Sequence, residues 1–544
     1  SLMLETPVKW VLELDAQGKP QGMVMLSGGG NPKKDRGLPM QVPSLGGLRT
    51  SGIMPYLLAD KADYVLGDIH HSNSRAQECN QAFVDLVKRC ADATQLPEVQ
   101  AVYQFYQHHR NQLQIPPDLK EEDYIVLSVD GVRLVERPEV KDFWQRYAPA
   151  EHELIDPQIQ MQCLVCGEQK PPLRRHFIKL KGVPGGQTGG VSLTSANAKA
   201  FYSYELEEGF VSPICLECSE FANKALNYLL RQERHRMVIG DLAYVFWTRE
   251  ESEFDPFTLL SKPEPETVQK LLATPFTGRQ VTLDHNDFYA VALSASGGRA
   301  VVRNFIETTL PQVQQNLQRW FHLQELVDWK TGAIGAPSGI YALAASLYRD
   351  ANKEMRPEVP KALIECALTG SRLPDWILYQ AVQRNRAEQS LTYPRAVLLK
   401  MALNTHNQEV KPMLDQNNHD PAYRCGRVLA ILEAIQRSAV DPKATLVDRY
   451  YGSASTTPAS IFGTLLRLAQ SHLSKLRKER EGAYIYLSRE LESALPDHFP
   501  AVLTLHQQAW FALGYYHQRA EMRRRATERS QQSQNTQEVI EDED

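Results

Sequence analysis

Four cysteines form two Cys-x-x-Cys pairs, a spacing typical of structural zinc sites. The first pair is Cys163 and Cys166, and the second is Cys215 and Cys218. Two such pairs supply four thiolates, the ligand set that suits a tetrahedral zinc ion. Gly167 follows the first pair and permits the tight turn that points backbone amides at sulfur. The spacing predicts a structural zinc site in which protein fills every coordination position.

Other interpretations of these cysteines stay open. The two pairs are separated by 48 residues, more than in a compact zinc ribbon, although such a segment can be looped out. Two unrelated pairs, or a redox-active Cys-x-x-Cys, are the alternatives, and His176 could replace one thiolate. The start of the chain lacks the basic and apolar segments of a signal peptide. We therefore expect a reducing cytoplasm, where paired cysteines indicate metal rather than disulfides.

Basic residues lie beside glycines in two segments, a combination that lets backbone approach phosphates. Between the cysteine pairs, a glycine-rich run from Gly182 to Gly190 follows the bases Arg174, Arg175, Lys179 and Lys181. Near the N-terminus, the loop from Gly28 to Gly37 contains Lys33, Lys34 and Arg36, and Arg49 follows a second glycine pair. Such loops could enter a DNA groove. Ordinary solvated loops are the alternative for both.

A third basic candidate lies in a helical pattern near residue 470. One face is apolar and contains Phe462, Leu465, Leu466, Ala469, Leu473 and Leu476. The opposite face contains Arg467, Lys475 and Lys478, and such a stripe can follow a phosphate backbone. A solvated helix face is the alternative. Arg299 and Arg303, in a hairpin predicted around 291–303, are further candidates for nucleic-acid backbone contacts.

Familiar catalytic motifs are missing from the sequence. It contains no Gly-x-Ser-x-Gly, no His-Glu-x-x-His and no Walker motif. We therefore predict that the protein is not an enzyme. A metal-dependent nuclease with dispersed carboxylates stays open as an alternative.

The pattern of helix and strand signals along the sequence predicts an α+β protein with several parts. At 544 residues, the chain is long enough for about three to four domains. We predict a mixed N-terminal part (1–150), an α+β part that inserts the zinc knuckles and glycine-rich loop (151–335), and an all-helical bundle (336–530). The tail, 531–544, is acidic and few of its residues are apolar, so we expect it to be disordered.

The charge of the chain excludes binding of nucleic acid by bulk charge. The net charge is −5, and the last 14 residues contain five acids and no base. The rest of the chain is therefore neutral, and nucleic-acid binding would depend on local basic patches. No apolar run reaches the length of about 18 residues that a transmembrane helix needs, so we expect no membrane contact.

Several long motifs resemble one known family. Three lie in the C-terminal half, in a characteristic order: Ala422-Tyr-Arg-Cys-Gly-Arg-Val-Leu-Ala, Asp448-Arg-Tyr-Tyr-Gly-Ser and His498-Phe-Pro-Ala-Val-Leu. Others lie upstream: Arg49-Thr-Ser-Gly-Ile-Met-Pro with Asp60 and Tyr64-Val-Leu-Gly, Phe201-Tyr-Ser-Tyr, and Gly298-Arg-Ala-Val-Val-Arg-Asn-Phe. Together they are similar to the large subunit of type I-C CRISPR effector complexes, the Csd-one or Cas-eight-c family. The zinc prediction depends on spacing, because paired cysteines are not expected in every member.

The resemblance implies a non-catalytic large subunit of an RNA-guided surveillance complex. Such a subunit reads the short PAM in duplex DNA, helps to separate the strands and form the R-loop, and recruits a trans-acting nuclease-helicase. The implied partners are crRNA, target double-stranded DNA and its displaced strand, and the Cascade backbone, crRNA-processing and small subunits. The resemblance places the PAM reader in the N-terminal half, which makes Lys33, Lys34, Arg36 and Arg49 the first candidates. It also implies a small subunit translated from an internal start, for which Met401 and Met413 are candidates. A zinc-stabilised scaffold with only protein partners is the competing hypothesis.

Overall fold

The computed structural model describes residues 2–29, 35–49, 52–69, 74–273 and 286–541. The chain divides into two compact units. The first comprises residues 1–228 and 295–301, and the second comprises residues 229–294 and 302–544. The part predicted over 151–335 is therefore divided between the units, whereas the predicted helical region lies within the second.

In its described residues, the first unit forms small sheets and five helices. Its strands are β1 (Met3–Val8), β2 (Trp10–Leu14), β3 (Pro20–Met25), β4 (Leu38–Pro43), β5 (Ala59–Lys61), β6 (Tyr124–Val129), β7 (Val132–Arg133), β8 (Met161–Gln162) and β9 (Gln169–Lys170). Its helices are α1 (Ala62–Leu66), α2 (Ser74–Thr94), α3 (Pro97–Gln104), α4 (Pro138–Glu151) and α5 (Leu216–Arg231). Short 3-10 turns lie at Gly46–Leu48, Lys199–Phe201 and Glu208–Val211.

The main sheet of the first unit has the order β3-β2-β6-β5, and β7 pairs with β6. β2 and β3 form the antiparallel hairpin that the turn signal at Asp15 predicts. β2 and β6 run parallel, and the long connection that this requires contains α1, α2 and α3. The apolar β6 is almost fully buried, and its side chains join those of α2 and α4, including Phe83 and Trp144, in one core.

The second unit contains one antiparallel sheet and a helical region. Its strands follow the chain in the order β10 (Arg236–Ile239), β11 (Leu242–Thr248), β12 (Asp287–Ser296) and β13 (Arg299–Thr309). Its helices up to residue 405 are α6 (Pro256–Ser261), α7 (Pro265–Ala273), α8 (Leu310–Gln324), α9 (Ile340–Ala345), α10 (Ala351–Glu354), α11 (Glu358–Thr369), α12 (Asp375–Glu388) and α13 (Tyr393–Thr405). The later helices are α14 (Pro421–Val440), α15 (Leu446–Ala454), α16 (Pro458–Glu479), α17 (Glu481–Ala494) and α18 (Leu505–Glu541). The fold is therefore mixed α+β with a helical C-terminal region, as predicted.

Helix α18 contributes to both apolar cores of the second unit. Leu513 and Tyr516 belong to the core that includes the sheet, whereas Phe511 and Tyr515 belong to a separate core formed with α14–α17. α14 and α18 approach closely because Gly426 of α14 faces the backbone of α18. A Cβ on Gly426 would lie 2.0 Å from the carbonyl oxygen of Phe511. The crossing therefore requires glycine at this position.

Helix α18 extends as far as Glu541, and the disorder expected from the composition of 531–544 stays a prediction. Residues 531–541 include no proline or glycine and several glutamines and glutamates, which favour a helix without an apolar face. None of the described helices combines the length and apolar character needed to cross a membrane.

Candidate metal centre and nucleic-acid interface

Two short elements of the first unit bring the four predicted zinc ligands together. The β8–β9 hairpin holds Cys163 and Cys166, and Gly167 takes a positive φ of 76° at its turn. Cys215 precedes α5 and Cys218 lies in its first turn. One potential ligand atom from each cysteine lies within 4.8 Å of those of the other three. The cluster has the ligand number and type of a structural zinc site, so the cysteines are compatible with zinc.

Backbone amides favour the thiolate form of Cys163. The N–H of Cys215 donates to Sγ of Cys163 at 3.3 Å. Burial opposes ionisation there, but hydrogen bonds from the backbone of Cys166, Cys215 and Val165 lower the pKa of Cys163 to about 6. Burial raises the pKa of Cys215 and of Cys218. The cluster thus favours an anionic Cys163, and a bound cation would favour ionisation of Cys215 and Cys218 as well.

His176, the alternative ligand, is engaged elsewhere. Its Nδ1 lies 2.8 Å from Oγ of Ser219, and it is not a member of the cysteine cluster. Burial lowers the pKa of His176, so the ring is neutral at neutral pH. The buried Nε2 has no hydrogen-bond partner among the described residues.

Two of the predicted basic residues, Arg174 and Arg175, line one cavity in the first unit, which we call the basic cavity, and a third, Arg299, contacts two residues of its walls. Arg174 and Arg175 both pair with the carboxylate of Glu208, at 3.3 Å and 2.9 Å. Arg299 donates to the amide oxygen of Asn197 and lies 4.1 Å from the ring centroid of Phe201. The cavity has a volume of about 460 Å³. Its walls are formed by Leu48, Arg174, Arg175, His176, Thr194, Ser195, Ala196, Asn197, Phe201, Ser203, Glu208, Gly209, Val211 and Ser212.

Backbone hydrogen bonds hold the segments that form the walls of the basic cavity close together. The hairpin tip before β13 pairs with Ser192, whose N–H donates to the carbonyl oxygen of Gly298 at 2.8 Å, and this places Arg299 beside the segment 194–197. On the opposite wall, the N–H of Gly209 donates to the carbonyl oxygen of Arg174 at 2.9 Å. A Cβ on Gly209 would lie 2.1 Å from the carbonyl oxygen of Leu173, so glycine is required there.

Lys179 and Lys181 flank the start of the glycine-rich loop. Leu180 pairs with Val191 across its base, and the side chain of Asn227 binds backbone atoms of both lysines, at 3.0 Å and 2.9 Å. Lys181 is exposed and Lys179 is half-buried. Neither lysine lines the basic cavity.

Arg49 is part of a buried ion pair. Its guanidinium makes two hydrogen bonds to Asp60, of 2.7 Å and 2.6 Å, and the two side chains are 13% and 0% exposed. The guanidinium also lies 3.8 Å from the ring centroid of Tyr56 and 4.2 Å from that of Tyr64. Burial opposes the charge on Arg49, but Asp60 raises the pKa of the arginine, which therefore stays charged. This arrangement orders the segment next to Leu48, a wall of the basic cavity.

The other N-terminal candidates are only partly described. Lys33 and Lys34 lie outside the described residues. Arg36 is exposed. Asp35 joins the two arms of the loop, because its Oδ1 accepts hydrogen bonds from the N–H groups of Gly28 at 3.1 Å and Gly37 at 2.9 Å.

The remaining basic candidates lie in the second unit. Arg303 is exposed, and its Nε donates to Oγ of Ser294 at 2.7 Å. Arg467, Lys475 and Lys478 are exposed on α16, and Lys475 is 3.9 Å from Glu479. The predicted apolar face of α16 is confirmed, because all its members are buried except the half-buried Leu466.

A second cluster of metal-binding residue types lies in the second unit and comprises Asp375, His406 and His506. The hydrogen bonds around these three side chains explain why they lie together without a bound ion. Trp510 donates to Oε1 of Gln408 at 2.7 Å, so the amide nitrogen of Gln408 faces Nδ1 of His506 at 2.5 Å. His506 therefore has its proton on Nε2, which donates to Asp375 at 3.0 Å. A protonated Nε2 cannot bind a cation, so this network favours a structural role.

Sequence reasoning missed most walls of the basic cavity. Thr194, Ser195 and Asn197 are small polar residues without a motif, whereas Phe201 and Ser203 lie in a segment that the family resemblance singled out. The run of small polar residues directly after the glycine-rich loop was the available signal.

Comparison with known proteins identifies the family. The family model described as CRISPR-associated protein (Cas_Csd1) matches residues 2–523. The chain belongs to this CRISPR-associated family. A comparison with curated proteins found no match. Membership of this family supports a role in a Cascade-type CRISPR effector complex.

Proposed function

We propose that this chain is the non-catalytic large subunit of a type I-C CRISPR surveillance complex that recognises the PAM in duplex DNA. In this role it aids strand separation and R-loop formation, and then recruits the nuclease-helicase. The match to the family over residues 2–523 supports the general assignment. The observation that most favours nucleic-acid recognition is that Arg174 and Arg175 line one cavity, and that Arg299, from a distant segment, contacts two residues of its walls.

Two arginines of this cavity are suited to contact DNA. The side chain of Arg175 is 67% exposed although Glu208 fixes its orientation, and Arg174 shares the same carboxylate. Oriented guanidinium groups form two parallel hydrogen bonds with phosphate or with guanine. In the proposal Arg36, Lys33 and Lys34 approach the duplex from the N-terminal loop, whereas Arg49 acts mainly by ordering the neighbouring segment.

The other partners follow from the same assignment. In the proposal the chain contacts crRNA, the backbone subunit, the crRNA-processing subunit and the small subunits inside the cell. Lys179 and Lys181 are candidates for further phosphate contacts. The exposed stripe of Arg467, Lys475 and Lys478 on α16, together with Arg303, is proposed to follow the displaced strand by charge. The four cysteines are proposed to bind one structural zinc ion.

The decisive test measures how the complete, crRNA-loaded complex binds target duplexes that differ only in the bases flanking the protospacer. Arg175→Ala, Arg299→Ala and a Lys33→Ala/Lys34→Ala double variant are compared with Arg146→Ala, an exposed arginine of α4 in the same unit. Loss of a base-reading residue should cost about 1–3 kcal/mol and relax the flank preference. Loss of a phosphate contact should weaken binding equally on every duplex.

Each outcome separates the hypotheses. Wild-type binding that ignores the flanking bases would overturn PAM recognition and favour a zinc-stabilised scaffold with only protein partners. Flank-dependent binding that no variant alters would remove these residues from the interface. Divalent-dependent cleavage by the isolated chain would instead favour a nuclease.

A further inference from the structure

The basic cavity has the size of a small-ligand site. Its volume is about 460 Å³, within the range of about 300–1,000 Å³ that is typical of small-molecule sites. The side chains of Arg174 and Arg175 are 40% and 67% exposed, whereas that of Glu208 is 23% exposed. The positive charges therefore lie nearer to solvent than the carboxylate that they share.

The neutral walls contain an aromatic ring and several uncharged hydrogen-bonding groups. Phe201 is 42% exposed, and Asn197 lies close to it through their shared contact with Arg299. The hydroxyl groups of Thr194 and Ser195 line the same space. An aromatic face with amide and hydroxyl groups is the combination that recognises a nucleobase.

His176 also lines the cavity. Its Nδ1 contacts Oγ of Ser219, and its Nε2 is shielded from solvent. The ring therefore contributes a neutral surface to the wall, and neither ring nitrogen is offered to a ligand.

The arginines at the opening favour an anionic ligand. Glu208 contacts both Arg174 and Arg175, and Glu153 lies 3.8 Å from Arg174. With Arg299, these five side chains leave one positive charge uncompensated. A nucleotide presents both features, because its base is neutral and its phosphate is anionic. A base within a duplex is stacked on both faces and paired at its edge, so only an unpaired, unstacked base can enter a cavity.

We infer that the basic cavity receives one unstacked base of a single-stranded nucleic acid, with the adjacent phosphate bound by Arg174 and Arg175. This inference rests on the proposed function and deepens it, since guide RNA and displaced DNA are the two available single strands. Phe201 stacks on the base, and Asn197 and Ser195 contact its edge. The site therefore distinguishes a nucleotide from a bare phosphate.

The test uses the full-length chain and measures binding of fluorescently labelled eight-residue RNA and DNA of the same sequence. Nucleoside 5′-monophosphates, ribose 5-phosphate and inorganic phosphate serve as competitors. We expect the nucleotides to compete and the two base-free phosphates not to compete. Phe201→Ala should weaken binding about tenfold, Phe201→Tyr should retain it, and Phe221→Ala should have no effect, since Phe221 is an aromatic residue of α5 that is 70% exposed.

Several results would overturn the inference. Equal competition by ribose 5-phosphate would indicate an anion site without base recognition, and unchanged binding by Phe201→Ala would exclude stacking. A preference for RNA over DNA would identify guide RNA as the ligand, because only RNA offers the 2′-hydroxyl, and the opposite preference would identify the displaced strand. Loss of flank-dependent duplex binding by the complex would overturn the proposed function, whereas loss of base-dependent competition would overturn the base site alone.

Discussion

Removal of the Arg49 guanidinium should destabilise the first unit strongly, and this effect must be separated from any role in reading DNA. Asp60 is fully buried and accepts four hydrogen bonds: two from Arg49 and one each from the N–H groups of Tyr56 and Lys61, both at 2.8 Å. Arg49→Ala leaves the carboxylate with only the two backbone donors. Removing one partner of such a pair costs about 3–5 kcal/mol. Arg49 also has two aromatic neighbours, whose cation–π contacts add to this loss.

The assay is urea-induced unfolding of the full chain, followed by tryptophan fluorescence, because Trp10 and Trp144 are buried in the core of this unit. We expect Arg49→Ala to lower the free energy of unfolding of the corresponding transition by about 3–5 kcal/mol. Arg49→Lys should retain only part of the stability that Arg49→Ala loses, since an ammonium group cannot make the same bidentate contact. An Arg49→Leu/Asp60→Leu double variant should be more stable than Arg49→Ala, because no unpaired charge stays buried.

A loss below about 1 kcal/mol for Arg49→Ala would refute this reasoning and show that the ion pair contributes little. If duplex binding by the complex then fell while stability did not, Arg49 would act at the DNA directly. Equal effects of Arg49→Ala and Asp60→Asn on duplex binding would indicate that the pair acts through the fold.

Three further predictions concern metal, pH and helix packing. Elemental analysis should find one zinc ion per chain, and Cys163→Ser should lower both the zinc content and the melting temperature; a metal-free wild-type chain with unchanged stability would contradict the site. Burial lowers the pKa of His517 to about 3 from 6.5, so its protonation favours the unfolded state; stability should be complete above pH 6.5 and fall by up to about 5 kcal/mol towards pH 3. His517→Gln should flatten that part of the pH profile, and an unchanged profile would exclude His517 as its source. Gly426→Ala should lower stability by about 1–3 kcal/mol in urea titrations, because its Cβ would meet backbone of α18. Gly463→Ala, with no atom within 4 Å of a new Cβ, is the matched control and should leave stability unchanged or raise it.

Local patterns in the sequence predicted those features that depend on neighbouring residues. The period of apolar residues in α16, the turn before β3 and the ligand set of the cysteine pairs are of this kind, and each has its counterpart in the structure. Arg49 shows the limit of such reasoning. Its glycine-rich surroundings resemble a DNA-binding loop, but its partner Asp60 is 11 residues away, and spacing alone does not reveal a buried ion pair. The basic cavity is the strongest example, because Arg299 reaches residues of its walls through a hairpin tip that pairs with Ser192, more than 100 residues earlier in the chain.

The double-sided packing of α18 has a consequence for any shorter product of the same gene. Met401 lies within α13 and is fully buried, so a start there would begin inside a helix. Met413 lies between α13 and α14, and a chain that began there would retain the complete core formed by α14–α17 and one side of α18. Its other side, with Ala509, Leu513 and Tyr516, would lose its present neighbours from α12 and α13. Such a product would keep its own core and expose an apolar side of α18 that the full-length chain buries.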